Sequence, residues 1–352
     1  MMTGASGATV WVLLGPHTGD NNQVLALAEA LGQPFRIISL RYKWFSHLPA
    51  VCRSRAIFQL EDRCRREIAA PWPSLVLGIG QRSAPVARYI ARASGGKTKT
   101  VRLGDPMVSH RLFDLVITTT QYAVRDAENV VRLPITITNA KLMKPSKSEE
   151  RWLAAFARPR RLLVIGGKTS LWRFDSTVVT HSLRKLQQRA RAEGGSVLAV
   201  TSPRTTTELA AAAQAALGAE AVVTDDSPRY GVLLGAADEI HVTGDSVSML
   251  SDAVATGKPV GLVPLEPDEV AIFVRSVGRL RRRPFRMREV EKFWDDLRTR
   301  GLVGSVEQPR CGRLDTPPIE VAVAAVRRLT EETAASSYPP PKPRAAAGAA
   351  VA

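Results

Sequence analysis

Val242-Thr243-Gly244-Asp245-Ser246-Val247-Ser248-Met249-Leu250-Ser251-Asp252-Ala253-Val254-Ala255-Thr256-Gly257-Lys258-Pro259-Val260 is the stretch that decides the fold. A strand over Glu239–Val242 enters. Asp245 or Ser246 is placed to cap a helix over Ser246–Thr256. Gly257 and Pro259 then stop that helix before a second strand, Val260–Val263. Val247, Leu250 and Val254 share one helix face, while Asp245, Ser248 and Asp252 fall along another. Strand, turn, helix and strand in this order form the unit of a parallel sheet with crossover helices.

The same unit repeats outward in both directions. Upstream strands are expected at Val10–Leu14, Arg36–Leu40, Leu75–Ile79, Thr100–Leu103 and Leu115–Thr118, with helices at Asn21–Leu31, Arg53–Ala69 and Ser83–Ala93. The second half adds strands at Leu162–Ile165, Val197–Thr201 and Ala221–Thr224, and helices at Ser176–Ala192, Thr205–Leu217, Glu289–Arg300 and Ile319–Thr333. Each half then holds enough strands for its own doubly wound, Rossmann-like α/β sheet. At 352 residues two cores are expected. The expected division is residues 1–145, residues 146–335, with the last helix free to pack back on the first domain, and a disordered Pro- and Ala-rich tail over 336–352. Ser146-Lys147-Ser148-Glu149 near the boundary has capping-box spacing.

Forty-nine Lys plus Arg against thirty-three Asp plus Glu leaves a net charge of +16, a field that draws in polyanions. Nucleic acid, an anionic bilayer or phosphorylated substrates would fit. No nucleic-acid-binding signature accompanies the charge, which argues against the first. Three scattered cysteines, Cys52, Cys64 and Cys311, give no disulfide framework and no metal-ligand spacing. No leader and no stretch of ~20 apolar residues is readable, so the expected location is cytoplasmic, with any membrane contact peripheral. Arg41-Tyr42-Lys43-Trp44-Phe45, and the arginines from Arg275 to Arg288 beside Phe273 and Phe285, have the composition of such a contact and equally of a solvated face.

In open α/β sheets ligands bind beyond the carboxyl ends of the strands. Five strand-to-helix turns are therefore candidates. Gly15-Pro16-His17-Thr18-Gly19-Asp20 places Asp20 and His17 where a proton acceptor is useful, although Asp20 or Asn21 could simply cap the helix. Gly80-Gln81-Arg82-Ser83 offers a guanidinium and a hydroxyl, with Ser83 as a plain cap the alternative. Gly166-Gly167-Lys168 lets a phosphate approach the backbone beside a counter-charge. In Ser202-Pro203-Arg204-Thr205, Pro203 suits a first helical turn. The start of the Ser246 helix could hold a diphosphate through its N–H groups, with Asp252 accepting from ribose hydroxyls. The alternative there is an amphipathic helix with a polar outer face. No D-x-D pair or His/Cys cluster is present, so neither metal nor cofactor is expected.

Several of these segments together resemble the mitochondrial-fission Elm family. They are Trp11 through Gly19-Asp20-x-x-Gln23, Gly166-Gly167-Lys168, Thr201-Ser202-x-Arg204-Thr205, Ser227-Pro228-x-Tyr230 before Ala237-Asp238, Val242-Thr243-x-Asp245-Ser246-Val247-Ser248-Met249, Asp252-Ala253, and Thr256 through Val260. The resemblance implies a GT-B-like fold: two Rossmann-like domains facing a cleft, the donor on the second and the acceptor on the first. The implied activity is metal-independent transfer of a sugar from a nucleotide-diphosphate donor to an acceptor that could be lipid-linked. A non-catalytic protein recruiter and a sugar-nucleotide epimerase are the alternatives on the same fold. Donor contacts would come from Gly166, Gly167, Lys168, Ser202, Arg204, Asp245, Ser246, Val247, Ser248 and Asp252. The acceptor side would use Gly80, Gln81, Arg82 and Ser83, with Asp20 or His17 as base. Thr243 to Asp252 is also similar to inverting GT-B enzymes that make peptidoglycan precursors, in which an acidic residue at the Asp252 position holds the donor ribose. Gln121-Tyr122 stands where family members often have His-Asp.

Overall fold

The structure is a computed structural model that describes residues 9–16, 18–43, 57–138, 142–167, 172–225, 227–269, 272 and 289–336. Two parallel sheets, each with its own apolar core, divide the chain. The first contains β1 (Val10–Leu14), β2 (Phe35–Ser39), β3 (Leu75–Ile79), β4 (Lys99–Leu103), β5 (Leu115–Thr118) and β6 (Val130–Arg132), in the order β2-β1-β3-β4-β5-β6. Its helices are α1 (Thr18–Leu31), α2 (Asp62–Glu67) and α3 (Gly80–Ala93). The second sheet is built from β7 (Arg160–Ile165), β9 (Ser196–Thr201), β10 (Val222–Val223), β11 (Glu239–Thr243) and β12 (Val260–Val263), in the order β10-β9-β7-β11-β12. A two-residue strand, β8 (Trp172–Arg173), pairs antiparallel with β13 (Glu266–Pro267) beside it. The surrounding helices are α4 (Lys147–Ala154), α5 (Ser176–Glu193), α6 (Thr207–Leu217), α7 (Tyr230–Ala236), α8 (Val247–Ala255) and α9 (Val290–Thr299).

Central strands read as unbroken apolar runs because helices cover both faces. Leu162, Leu163, Val164 and Ile165 of β7 are all at or below 1% exposure. The last helix, α10 (Pro318–Ser336), crosses back, and its Ala322 and Val326 join the first core beside Val24 and Leu27 of α1. The connector between the sheets is shared: Leu133 and Ile137 enter the first core, Ile135 the second. Its Thr136 N–H donates to Ser251 Oγ on α8 at 3.1 Å.

The capping box at Ser146 forms as expected, with Glu149 N–H on Ser146 Oγ at 3.3 Å and Ser146 N–H on Glu149 Oε2 at 2.7 Å. Glu149 also takes the Arg229 guanidinium, at 2.9 and 2.7 Å, which holds its carboxyl well below the usual carboxylate range. Three expectations need correction. Of the helix expected over Arg53–Ala69, the described residues form α-helix only over Asp62–Glu67, and Leu60 pairs with Tyr42 instead. The helix after β9 begins at Thr207 with Thr206 as its cap, so Ser202-Pro203-Arg204 forms a turn and not a first helical turn. Short elements were also missed: β6 and α7, three and seven residues long, are too short to show a period. His17, Trp44, Phe45, Cys52, Lys168, the arginines of 275–288 and the tail 337–352 lie outside the described residues.

Candidate functional site

Because all pairings within the two large sheets are parallel, the carboxyl ends of their strands share one edge in each sheet. Each sheet reverses its winding once, between β1 and β3 in the first and between β7 and β11 in the second. Such switch points leave a crevice between diverging loops.

At the second switch point the crevice is stapled. Asp245, whose side chain is 0% exposed, accepts from Gly167 N–H at 3.0 Å and from the Thr243 hydroxyl at 2.7 Å. The Thr243 hydroxyl in turn accepts from Gly166 N–H at 2.8 Å. Arg204 approaches the same carboxylate at 3.5 Å from the surface. Burial pushes the Asp245 carboxyl up, and the hydrogen bonds from Thr243 and Gly167 pull it back. The paired glycines are a packing requirement: a Cβ on Gly166 would stand 2.1 Å from the Asp245 carboxylate, and one on Gly167 would stand 2.2 Å from the Arg204 carbonyl. Thr205 completes the staple by donating to Gly166 O at 2.7 Å and accepting from Ser202 N–H at 2.8 Å. Gly244 lies against Trp294 of α9, whose indole N–H donates to its carbonyl at 3.2 Å.

The structure therefore brings Gly166, Gly167, Ser202, Arg204, Asp245 and Ser246 together, but engages several of their side chains internally. Ser246 caps α8 by accepting from Met249 N–H at 3.4 Å, and Ser202 shares its hydroxyl with Thr205 at 3.0 Å. Val247 points into the second core, so only its backbone can face a ligand, while Ser248 is half-buried. Lys258 of the glycine-proline stop donates to three carbonyls at the end of α7, those of Leu234, Gly235 and Ala237, at 2.5–2.7 Å. That is a helix C-cap, not a ligand contact.

Asp252 lies further along α8, half-buried. Burial pushes its carboxyl up to about 7, against the pull of a hydrogen bond to Thr138 in the connector. Tyr230 at the start of α7 is its electrostatic neighbour, and burial raises that phenol well above its usual value.

The first switch point differs. Asn21 clamps the loop after β1, donating to and accepting from Gly15 at 2.9 Å each way. Asp20, half-buried in the first turn of α1, makes no hydrogen bond or ion pair with the described residues; its Oδ2 stands 3.9 Å from where a Gly80 Cβ would be. Gly80 opens α3 at φ +76°, a conformation that suits glycine. Of the expected acceptor-side group, Ser83 is buried, donates to Ile79 O at 2.5 Å and accepts from Arg102 Nη1 at 2.9 Å. Gln81 is exposed, and exposed Arg82 lies over the Tyr42 ring at 5.4 Å. Arg102 is fully buried, donates to Gly80 O at 2.5 Å and stacks on Phe113; burial brings its pKa down to about 9.

A shallow cleft of ≈330 Å³, most of it space open to solvent, runs along the carboxyl ends of β3, β4 and β5. Gln23, Thr118, Thr119, Gln121, Tyr122 and Thr136 form its polar wall. The sequence reading missed Thr136, Thr138 and Trp294, since nothing in their local pattern distinguishes them from loop or core residues. Among the described residues, no group of three His, Cys, Asp or Glu side chains could hold a metal ion, and no helix is long and apolar enough to cross a membrane.

Residues 18–332 match the model of the family described as Mitochondrial fission ELM1. The fold is similar to that of MurG from Acinetobacter baumannii, at 14% identity and TM-score 0.51, covering 93% of this chain and 94% of that one. It is also similar to a Listeria monocytogenes structure described as a UDP-N-acetylglucosamine 2-epimerase, at 12% identity and TM-score 0.51 over 92% and 96% of the two chains. At such identities the likeness shows the GT-B fold alone. An uncharacterized protein of Rickettsia prowazekii is 25% identical over 109 residues, so the match spans 31% of this chain and 30% of that relative.

Proposed function

The chain belongs to the mitochondrial fission ELM1 family, and from that premise we propose that it is a metal-independent glycosyltransferase using a nucleoside-diphosphate sugar. The observation that carries the reading is Asp20, a half-buried carboxylate at a switch point with no partner among the described residues, one helical turn before Gln23, which lines a solvent-open cleft. A carboxylate left unpaired there is available to take a proton from an acceptor hydroxyl as that oxygen attacks the anomeric carbon. The carbon–oxygen bond to the diphosphate breaks in the same step, and the leaving group departs with the bond's electrons. Backbone N–H groups at the start of α8, with Arg204 nearby, suit the charge that develops on the diphosphate. Asp252 would receive the ribose hydroxyls in place of its bond from Thr138. The description of the similar Listeria structure as a UDP-N-acetylglucosamine 2-epimerase supports a sugar-nucleotide ligand.

The test is a thermal-shift panel of nucleoside diphosphates and their sugars in the presence of EDTA. A ligand at a hundredfold its Kd stabilises the native state by about 2.7 kcal/mol, a shift of several degrees. One base should give that shift, and Asp252→Ala should abolish it. No shift with any nucleotide, from a cooperatively folding sample, would overturn the reading. The outcome would then favour the non-catalytic recruiter, which already has one observation on its side: Asp245, Ser246 and Ser202 use their side chains to hold the fold.

A further inference from the structure

We infer that Thr138 is a built-in competitor of the nucleotide. Its hydroxyl holds the place at Asp252 that a ribose hydroxyl takes, so the donor binds by unlatching the connector between the two sheets. The inference rests on the transferase reading and adds a regulatory contact to its donor site. The connector meets α8 at two successive points. The Thr136 N–H donates to Ser251 Oγ at 3.1 Å, and two residues on, the Thr138 hydroxyl donates to the Asp252 carboxylate. Ser251 and Asp252 are adjacent in α8, so the two contacts fix the connector against one side of that helix. Ser248 stands one turn before Asp252 on the same face and is half-buried like it. Tyr230 of α7 adds a buried phenol to the surroundings of the carboxylate.

Threonine and ribose offer a carboxylate the same group, a hydroxyl on a secondary carbon. An ionised carboxylate only accepts, and a half-buried one is open from few directions, so an incoming hydroxyl meets a position already filled. A ribose presents two neighbouring hydroxyls. Together they span both carboxylate oxygens, including the one that Thr138 holds. Exchanging one hydroxyl for another keeps Asp252 satisfied, which makes the replacement inexpensive. It also leaves the connector anchored on both sides of Thr138. Before it, Leu133 N–H donates to Thr118 O at 2.7 Å and Thr136 N–H to Ser251. After it, Met143 N–H donates to Gly231 O at 3.2 Å and Arg229 Nη2 to Lys144 O at 3.1 Å. Opening the latch is therefore a local event at the join between the two sheets.

Calorimetric titration of the full chain tests this, with UDP, ADP, GDP and CDP and their 2′-deoxy counterparts as probes, in EDTA at pH 8, where Asp252 has given up its proton. Thr138→Val keeps the side chain's shape and removes its hydroxyl. It should bind the preferred ribonucleotide about 3–10-fold more tightly than wild type, the worth of one released hydrogen bond. The 2′-deoxy counterpart, which needs only the free oxygen, should gain less than about twofold. Carbon-13 NMR of the Asp252 carboxyl, assigned with Asp252→Asn, reads the latch without any nucleotide. Its titration midpoint should rise by about 0.5–1 pH unit in Thr138→Val, because a bond that favours the ionised form is gone. Thr138→Ala repeats the test should the valine variant misfold, and Thr138→Ser, which keeps the hydroxyl, should match wild type. An unchanged midpoint overturns the inference, as does an equal gain for the 2′-deoxy ligand. Nucleotide binding to wild type and variant with equal affinity, or more weakly to the variant, overturns the competition alone. Binding to neither chain, with the midpoint raised, overturns the transferase reading along with it.

Discussion

The two switch points of this molecule are built from the same local ingredients and put them to opposite uses. Each has a strand ending in glycine, a polar turn, a helix start and an aspartate. At β7/β11 the aspartate is sealed in and accepts from Gly167 and Thr243, joining two adjacent strand ends. At β1/β3 it stands half-buried without a partner among the described residues, and Asn21 does the loop's clamping instead. A buried carboxylate holding N–H groups contributes rigidity, whereas an unpaired one at a cleft contributes reactivity. A glycine-flanked aspartate at a strand end therefore does not identify a catalytic group until its hydrogen bonds are known.

The largest expected effect separates the two aspartates by activity. Asp20→Asn should lower the rate of sugar transfer by about 10²–10⁴-fold, the usual contribution of a general base. Its melting temperature should stay within about a degree or two of wild type, because no bond to the described residues is lost. Full turnover in this variant would erase the contrast. Asp245→Ala should behave in the reverse sense. It strands the Gly167 N–H and the Thr243 hydroxyl in a buried site, which costs on the order of 2–4 kcal/mol in urea unfolding. A loss below about 0.5 kcal/mol would show that the staple is dispensable.

Asp252 sharpens the comparison through pH. Its folded-state pKa, about 7, lies above the model-compound value of 3.8. The folded form therefore keeps its proton between those values while the unfolded chain has lost it. Stability should fall as pH rises from about 4 to about 7 and level off above, with a span of up to about 4 kcal/mol. Asp252→Asn should flatten that slope and melt higher than wild type at pH 8, as thermal scans across pH would reveal. An unchanged slope would place its origin elsewhere. Nucleotide affinity should run the other way, rising through pH 7 as the carboxylate forms to accept the ribose hydroxyls. The smallest effect is expected from Ser246→Ala, which removes the α8 cap at about 1 kcal/mol; a much larger loss would mean that this hydroxyl supports the switch point as well.

Much of the fold could be read from the sequence because long central strands and well-capped helices announce themselves locally. Val10–Leu14, Leu75–Ile79 and Leu115–Thr118 lie where the apolar runs put them. The Ser146 box formed because both of its partners sit within one turn. Short elements such as β6 and α7 were not legible, since three to seven residues carry no reliable period. Among candidate site residues, the local motifs that recur at ligand sites are also those that pack strand ends. Gly166, Gly167, Ser202 and Ser246 all proved to have packing or capping work.

What the sequence determined by itself is the alternation of strands and helices in a parallel α/β fold and the turns that follow its strands. These are properties of hydrophobic period and turn chemistry, which act over a few residues. Only the tertiary structure decided which aspartate is buried and which has no partner among the described residues, and that Thr136 and Gln121 share a cleft with Gln23. It also decided that Thr138 and Tyr230 meet Asp252. Those outcomes depend on contacts between residues as many as 115 positions apart in the chain, as between Thr136 and Ser251. Burial and hydrogen-bond satisfaction are set by such contacts and leave no local trace.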